Sequence, residues 1–144
     1  MSTTANTPIT VETTLNAPIE KIWECWTLPR HIIKWNQASP EWHTTKAENN
    51  LKTGGKFISR MEAKDGSMAF DFEGIYDLVL DKKLIEYTMP DGRKVKVAFN
   101  EQFNKVHISE TFQPESTNSL ELQRAGWQAI LDNFKNYVEH EVGR

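Results

Sequence analysis

Cysteine is almost absent from this 144-residue chain. Cys25 is the only one, so no internal disulfide can form and nothing argues for an oxidising compartment. Long apolar runs are missing as well: no stretch approaches the roughly 18 apolar residues that a membrane span requires. The opening segment, Met1 to Thr10, has neither the basic end nor the apolar run of a secretory signal, so the expected location is the cytoplasm. Basic charge does not dominate. The 17 Lys and Arg against 20 Asp and Glu leave a net charge of −3, which disfavours broad nucleic-acid binding. None of the histidines, His31, His43, His107 and His140, stands at a metal-ligand spacing from another His, Cys or acidic residue, so no metal site is expected. Nucleophile elbow, P-loop and dinucleotide fingerprint are all lacking, which leaves no catalytic residue and no cofactor to be named from a motif. Repeats, low-complexity runs and linkers are lacking too, so residues 1–144 are expected to form one domain. At this length a chain buries roughly 68–70% of its unfolded surface and needs no metal or disulfide staple.

What is present is patterned apolar residues. Ile9, Val11 and Leu15 alternate with Thr10, Glu12 and Thr14, the period of two of a strand with one buried face. Asn16-Ala17-Pro18 stops it, and Ile19, Ile22, Trp23 and Trp26 follow at amphipathic-helix spacing. Pro29 ends or bends that helix; a second short turn runs from Arg30 to about Trp35, and Asn36 to Glu41 reads as loop. From about Trp42 to Phe112 the pattern is consecutive strands. Phe57, Ser59 and Met61 share one phase; after the hairpin dipeptide Asp65-Gly66, Met68, Phe70, Phe72, Tyr76 and Leu78 share another. Asp81-Lys82-Lys83, Pro90-Asp91-Gly92 and Asn104-Lys105 supply the further turns, between strands at Leu84 to Met89, around Val95, Val97 and Phe99, and from Val106 to Phe112. Last, from near Asn118 to about Glu141, Leu120, Trp127, Ile130, Leu131, Phe134, Tyr137 and Val138 fall on one helical face.

Short turns imply antiparallel pairing, and an antiparallel sheet with one dry face needs a lid. Only the terminal helix has the apolar length to supply it. The expected fold is therefore α+β, a curved antiparallel sheet of about six to seven strands wrapped around a long C-terminal helix, with two short helices after the first strand.

The order strand, two short helices, six strands and long helix resembles the helix-grip order of the START-like, or SRPBCC, superfamily. The words Asn16-Ala17-Pro18-Ile19-Glu20-Lys21-Ile22-Trp23, Leu51-Lys52-Thr53-Gly54-Gly55-Lys56-Phe57 and Gly126-Trp127-Gln128-Ala129-Ile130-Leu131-Asp132-Asn133-Phe134 resemble the branch named for activators of the heat-shock-protein-90 ATPase, and Trp35-Asn36 and Trp42-His43 its bacterial members. The likeness covers nearly the whole chain. It implies a cavity between the long helix and the sheet that holds a small hydrophobic, lipid-like or aromatic molecule. The residues on the inward phase suit such a pocket: Phe57, Met61, Met68, Phe70, Phe72, Tyr76, Val97 and Phe99 from the strands, and Trp127, Leu131 and Phe134 from the helix. The same stripe equally suits a solid core. Trp35 and Glu110 are expected ligand contacts alongside these, and Trp35 and Trp42 flank a polar loop placed to gate the pocket or simply to be anchored by them.

Among the charges, Glu110 shares parity with Val106, Ile108 and Phe112. An unbroken strand aims its carboxylate at the apolar side, where its pKa rises, whereas a bulge or exposed strand end turns it to solvent. Asp71 and Glu73 are out of phase with Phe70 and Phe72 and are expected on the wet face as partners of Arg60 or lysines. Cys25 is read as a small structural side chain. Gly126 sits inside a helix at a cost of about 0.8–1 kcal/mol relative to alanine, for which the compensation is either close backbone approach to the sheet, the expected one, or room left for a ligand. Gly54-Gly55 reads as a sharp turn or bulge. Three functions follow: a carrier of a small hydrophobic molecule; a cyclase- or hydrolase-like enzyme with Glu110 or His43 as acid or base; and, by resemblance, a chaperone-binding module, a role whose usual second, amino-terminal domain is not expected here. A monomer or weak homodimer, with no membrane span and no nucleic acid, fits all three.

Overall fold

The computed structural model of the protein describes residues 7–142; Met1 to Asn6, the start of the segment read as lacking a secretory signal, lie outside the described residues. The chain runs β1 (Ile9–Leu15), α1 (Ile19–Thr27), α2 (Pro29–Trp35), β2 (Trp42–Asn49), β3 (Lys56–Ala63), β4 (Ala69–Leu80), β5 (Leu84–Thr88), β6 (Lys94–Gln102), β7 (Lys105–Phe112) and α3 (Leu120–Asn136), which continues as a π-helical turn over Tyr137–Val142. The seven strands form one sheet in the order β1-β7-β6-β5-β4-β3-β2, every pair antiparallel. Consecutive strands β2 to β7 are therefore neighbours joined by short turns, and β1 closes the far edge by pairing with the last strand. The fold is the expected α+β one: a curled antiparallel sheet forming a half-barrel around a long C-terminal helix.

Local chemistry sets the turns. Gly66 and Gly92 adopt φ of 79° and 92°, a region that costs glycine nothing and side-chain-bearing residues strain. The Gly54-Gly55 pair is a sharp turn: Gly54 has φ 87°, and a Cβ on Gly55 would overlap the Asn50 carbonyl oxygen. That turn is stitched to β4, with the Gly54 N–H donating to the Tyr76 carbonyl (2.7 Å) and the Tyr76 N–H to the Gly55 carbonyl (2.9 Å). α3 begins at Ser119, whose Oγ accepts the Leu122 N–H at 3.1 Å and so satisfies one of the four N–H groups a helix start leaves bare.

The single-phase reading of the fourth strand needs correcting. A register shift between Tyr76 and Leu78 leaves Asp77 as an extra residue. Beyond that bulge the inward position passes from Leu78 to Val79, which pairs with buried Ile85 and packs on the core.

The core lies on the concave face beneath α1, α2 and the C-terminal half of α3. Trp26 meets Trp35, Phe99 and Phe134 ring to ring at centroid separations of 5.0, 5.6 and 4.8 Å, and Trp35 also packs on Phe134 at 4.8 Å. The Trp35 indole N–H donates to the Cys25 carbonyl at 2.8 Å, tying α2 to α1. Cys25 is fully buried, and burial raises its thiol to about 11, consistent with a packing side chain. No helix among the described residues is long and apolar enough to cross a membrane.

Candidate functional site

Toward the N-terminal end of α3 the concave face is not filled. A cavity of about 330 Å³ opens there, at the lower end of the 300–1,000 Å³ typical of small-molecule sites. Its walls come from most of the fold. β3 contributes Phe57, Ser59 and Met61; β4 contributes Phe70, Phe72 and Tyr76; β5 contributes Ile85 and Tyr87, with Met89 just beyond it; α3 contributes Gln123, Trp127 and Ile130. Trp26, Ile32, Trp35 and Asn36 close the side next to the core, and Glu48, Asn49, Arg93, Glu110 and Glu115 supply the remaining polar lining.

The rings hold one another in place. Phe57 contacts Phe72, Tyr76 and Tyr87 at 5.7, 5.3 and 4.8 Å, while Trp127 stacks on Phe112 at 4.1 Å with planes 8° apart and meets Phe72 edge-on at 6.2 Å. Such edge and stacked contacts fix ring orientation beyond simple burial. Gly74 on β4 makes room for this packing, because a Cβ there would press on the Phe57 ring at 2.8 Å.

Most polar lining is already partnered. The Tyr76 hydroxyl donates to Asn49 Oδ1 at 2.6 Å, and Asn49 Nδ2 donates to the Thr27 carbonyl at 2.7 Å. Gln123 Nε2 donates to the carbonyls of Glu115 and Asn118, both at 2.9 Å, and its Oε1 accepts the Glu115 N–H. Arg93 is held by Asp91 (2.7 Å), and Glu115 accepts the N–H groups of Thr117 and Asn118.

Asn36, Ser59, Tyr87 and Glu110 have no such side-chain partner, and the last two titrate. Glu110, on an unbroken β7, is only 7% exposed, as is Tyr87 on β5. Neither the carboxyl nor the phenol has a hydrogen-bond or ion-pair partner among the described residues. Buried and with no cation beside it, the carboxyl cannot support a charge cheaply, and burial pushes it up to about 8. At neutral pH it is a carboxylic acid. Burial in the first place, and the neighbouring Glu110 in the second, also hold the Tyr87 proton well above the usual phenol range.

Eight of the residues expected to contact a ligand thus line the cavity: Trp35, Phe57, Met61, Phe70, Phe72, Tyr76, Glu110 and Trp127. Five do not. Val97, Phe99, Leu131 and Phe134 face inward as expected but are packed into solid core, because Trp23, Trp26 and Trp35 fill the space over that part of the sheet. Met68 is 63% exposed: it precedes β4 at the hairpin tip, where Phe70 is also half out in solvent and leans on Trp42. Strand parity was legible there, but not how far the cover extends.

Sequence reasoning missed Tyr87 and Met89, although Ile85, Tyr87 and Met89 alternate with Glu86 and Thr88 in a period-two signal. It also missed Gln123, a polar residue on an otherwise apolar helical face. His43 lies on β2 opposite Glu62 and is not among the lining residues, so it drops out as an acid or base for this cavity. Asp71 and Glu73 pair with Arg60 (3.2 Å) and Lys56 (3.1 Å) on the outer face, as expected. Gly126 is not closely packed: a Cβ there would meet nothing within 4 Å, so no close approach compensates its cost. Among the described residues no group of three or more His, Cys, Asp and Glu side chains is placed to hold a metal ion.

Comparison with known proteins decides the family. The family model described as "Activator of Hsp90 ATPase homolog 1-like protein" matches residues 16–139. The chain belongs to that family. Among solved structures it is similar to the AHSA1-like protein from Aeromonas hydrophila, with 42% identity over 92% of each chain and a TM-score of 0.87. A Cytophaga hutchinsonii protein shares 54% identity over 97% of this chain and 96% of its own, with a TM-score of 0.81. A Chromobacterium violaceum protein, at 19% identity over 94% of this chain and 99% of its own, shares the fold with a TM-score of 0.83. No curated protein matches.

Proposed function

We propose that the protein binds a small, largely apolar and ring-bearing molecule in the cavity between α3 and the sheet. The observation that carries this reading is a hollow of about 330 Å³ walled by Trp, Phe, Tyr, Met and Ile side chains at a place where the rest of the concave face is packed solid. A core of this composition gains by closing a void, since an empty cavity forfeits dispersion contacts and costs roughly 20 cal/mol per Å² of its surface. A bound molecule recovers those contacts. Native mass spectrometry of the purified protein tests it: a bound small molecule, released by organic solvent, is expected. A bare protein mass that also stays bare after incubation with lipids and planar aromatics contradicts it.

A second reading has its own support. A buried carboxylic acid facing a cavity is a candidate general acid, as a cyclase- or hydrolase-like enzyme requires. Turnover of a bound molecule by the wild type but not by Glu110→Gln distinguishes an enzyme from a carrier. Family membership alone supports a chaperone as a partner; a pull-down with the heat-shock ATPase and an ATPase assay test that. We place the protein in the cytoplasm, as a single-domain monomer or weak homodimer. The lone buried thiol of Cys25 fits a reducing compartment.

A further inference from the structure

We propose that Glu110 and Tyr87 form a two-donor clamp that selects ligands carrying an uncharged oxygen acceptor, such as a ketone, on an otherwise apolar aromatic frame. This rests on the cavity reading above and gives it a chemical specificity.

Buried polar side chains almost always find partners, and leaving one bare costs about 1–3 kcal/mol. In this cavity the Glu110 carboxyl and the Tyr87 phenol have no partner within the protein, as is also true of the Ser59 hydroxyl and the Asn36 side-chain amide, while Tyr76, Asn49, Gln123, Arg93 and Glu115 have all found partners. The first two lie near one another. Glu110 occupies the same inward row as Val97 and Ile85, and Tyr87 the next row with Val95 and Phe112, so the side chains rise from β7 and β5 on either side of β6. Ser59, another hydroxyl in the lining, is on β3, four strands from Glu110 and about 19 Å away at the usual strand spacing.

The sign of the recognised group follows from what surrounds the pair. Helix α3 offers the cavity only Gln123, Trp127 and Ile130, β1 places Val11 opposite Glu110, and β3 and the short helices add no charge. The charged groups in the lining are Arg93, Glu115 and Glu48, of which Arg93 is held by Asp91, Glu115 is engaged with its own loop and Glu48 pairs with Lys46. Tyr76 is the other phenol and gives its proton to Asn49. With no free cation to ionise it, Glu110 keeps its proton, and Tyr87 keeps its own. Two O–H donors then line one largely apolar cavity, an arrangement suited to one oxygen with two lone pairs. A phenol paired with a protonated carboxylic acid is a known chemical solution to holding such an oxygen.

The test compares 2-acetylnaphthalene with 2-ethylnaphthalene, frames of similar shape that differ in the acceptor, by Trp fluorescence and amide-shift titration. Wild type is expected to bind the ketone about tenfold or more tightly. Tyr87→Phe and Glu110→Leu, checked for native amide spectra, are each expected to bring the ratio of the two affinities near one. Because the ketone does not titrate, its affinity for the wild type should fall between pH 7 and pH 9 as Glu110 ionises, and this fall should be missing in Glu110→Leu. Equal binding of both probes by wild type, or a preference that survives both substitutions, overturns the clamp and leaves the cavity reading standing. Binding of neither probe overturns both.

Discussion

Replacing Glu110 by Gln should remove a large pH dependence from the protein's stability. In the unfolded chain the carboxyl loses its proton near pH 4.5; in the folded protein burial holds the proton until about pH 8. Between those values the folded state binds one proton more than the unfolded state, so stability falls as pH rises. The contribution is fully present below about pH 4.5 and gone above about pH 8. At 1.36 kcal/mol per pH unit, the full window amounts to about 5 kcal/mol, the ceiling if the cavity stays dry when the carboxylate forms. Against a total stability of about 5–15 kcal/mol for an ordinary domain, this is a large fraction. Gln fills nearly the same volume and does not titrate. Urea denaturation followed by Trp fluorescence, in half-unit steps from pH 4.5 to pH 9, gives the stability of both proteins, and subtracting the curves cancels every other titrating group. The difference is expected to shift by about 3–5 kcal/mol in favour of the variant across the window. Parallel curves would falsify the claim that Glu110 is buried without a partner.

Other perturbations test the packing. Gly126→Ala should raise stability by about 0.8–1 kcal/mol, because the added methyl meets nothing and the helix gains propensity; a loss would show that the space is occupied. Phe134→Ala should cost about 3–5 kcal/mol in urea denaturation as a core truncation, whereas Met68→Ala, at the exposed hairpin tip, should stay within about 0.5 kcal/mol of wild type; comparable losses would refute the assignment of core and tip. Tyr76→Phe leaves Asn49 Oδ1 without its donor and should cost about 1–3 kcal/mol, measured the same way, with no change refuting the bond.

The sequence carried the architecture because its signals were local and mutually consistent. Alternation in β1, β3, β6 and β7, glycine at Gly66 and Gly92, and the apolar stripe of α3 each specify an element, and short turns leave few ways to join them. Parity also put Glu110 on the apolar side, and an unbroken β7 keeps it there. What parity does not encode is depth. Phe99 and Phe72 both point inward, yet one is sealed under Trp23 and Trp26 and the other borders a hollow, a difference set by two helices distant in sequence. The bulge at Asp77 defeated the phase of β4 for a related reason: nothing in Tyr76-Asp77-Leu78 announces an extra residue. Gln123 escaped notice because its partners, Glu115 and Asn118, lie in the preceding loop and make a polar residue acceptable on a buried face.

The central claim is that an apolar molecule enters the hollow between α3 and the sheet. Intermolecular nuclear Overhauser effects between 2-ethylnaphthalene and the labelled protein test it most directly. Contacts to the side chains of Phe57, Phe72, Tyr87 and Trp127 are expected; contacts confined to the exposed Met68 and Phe103, or none at saturating probe, contradict it.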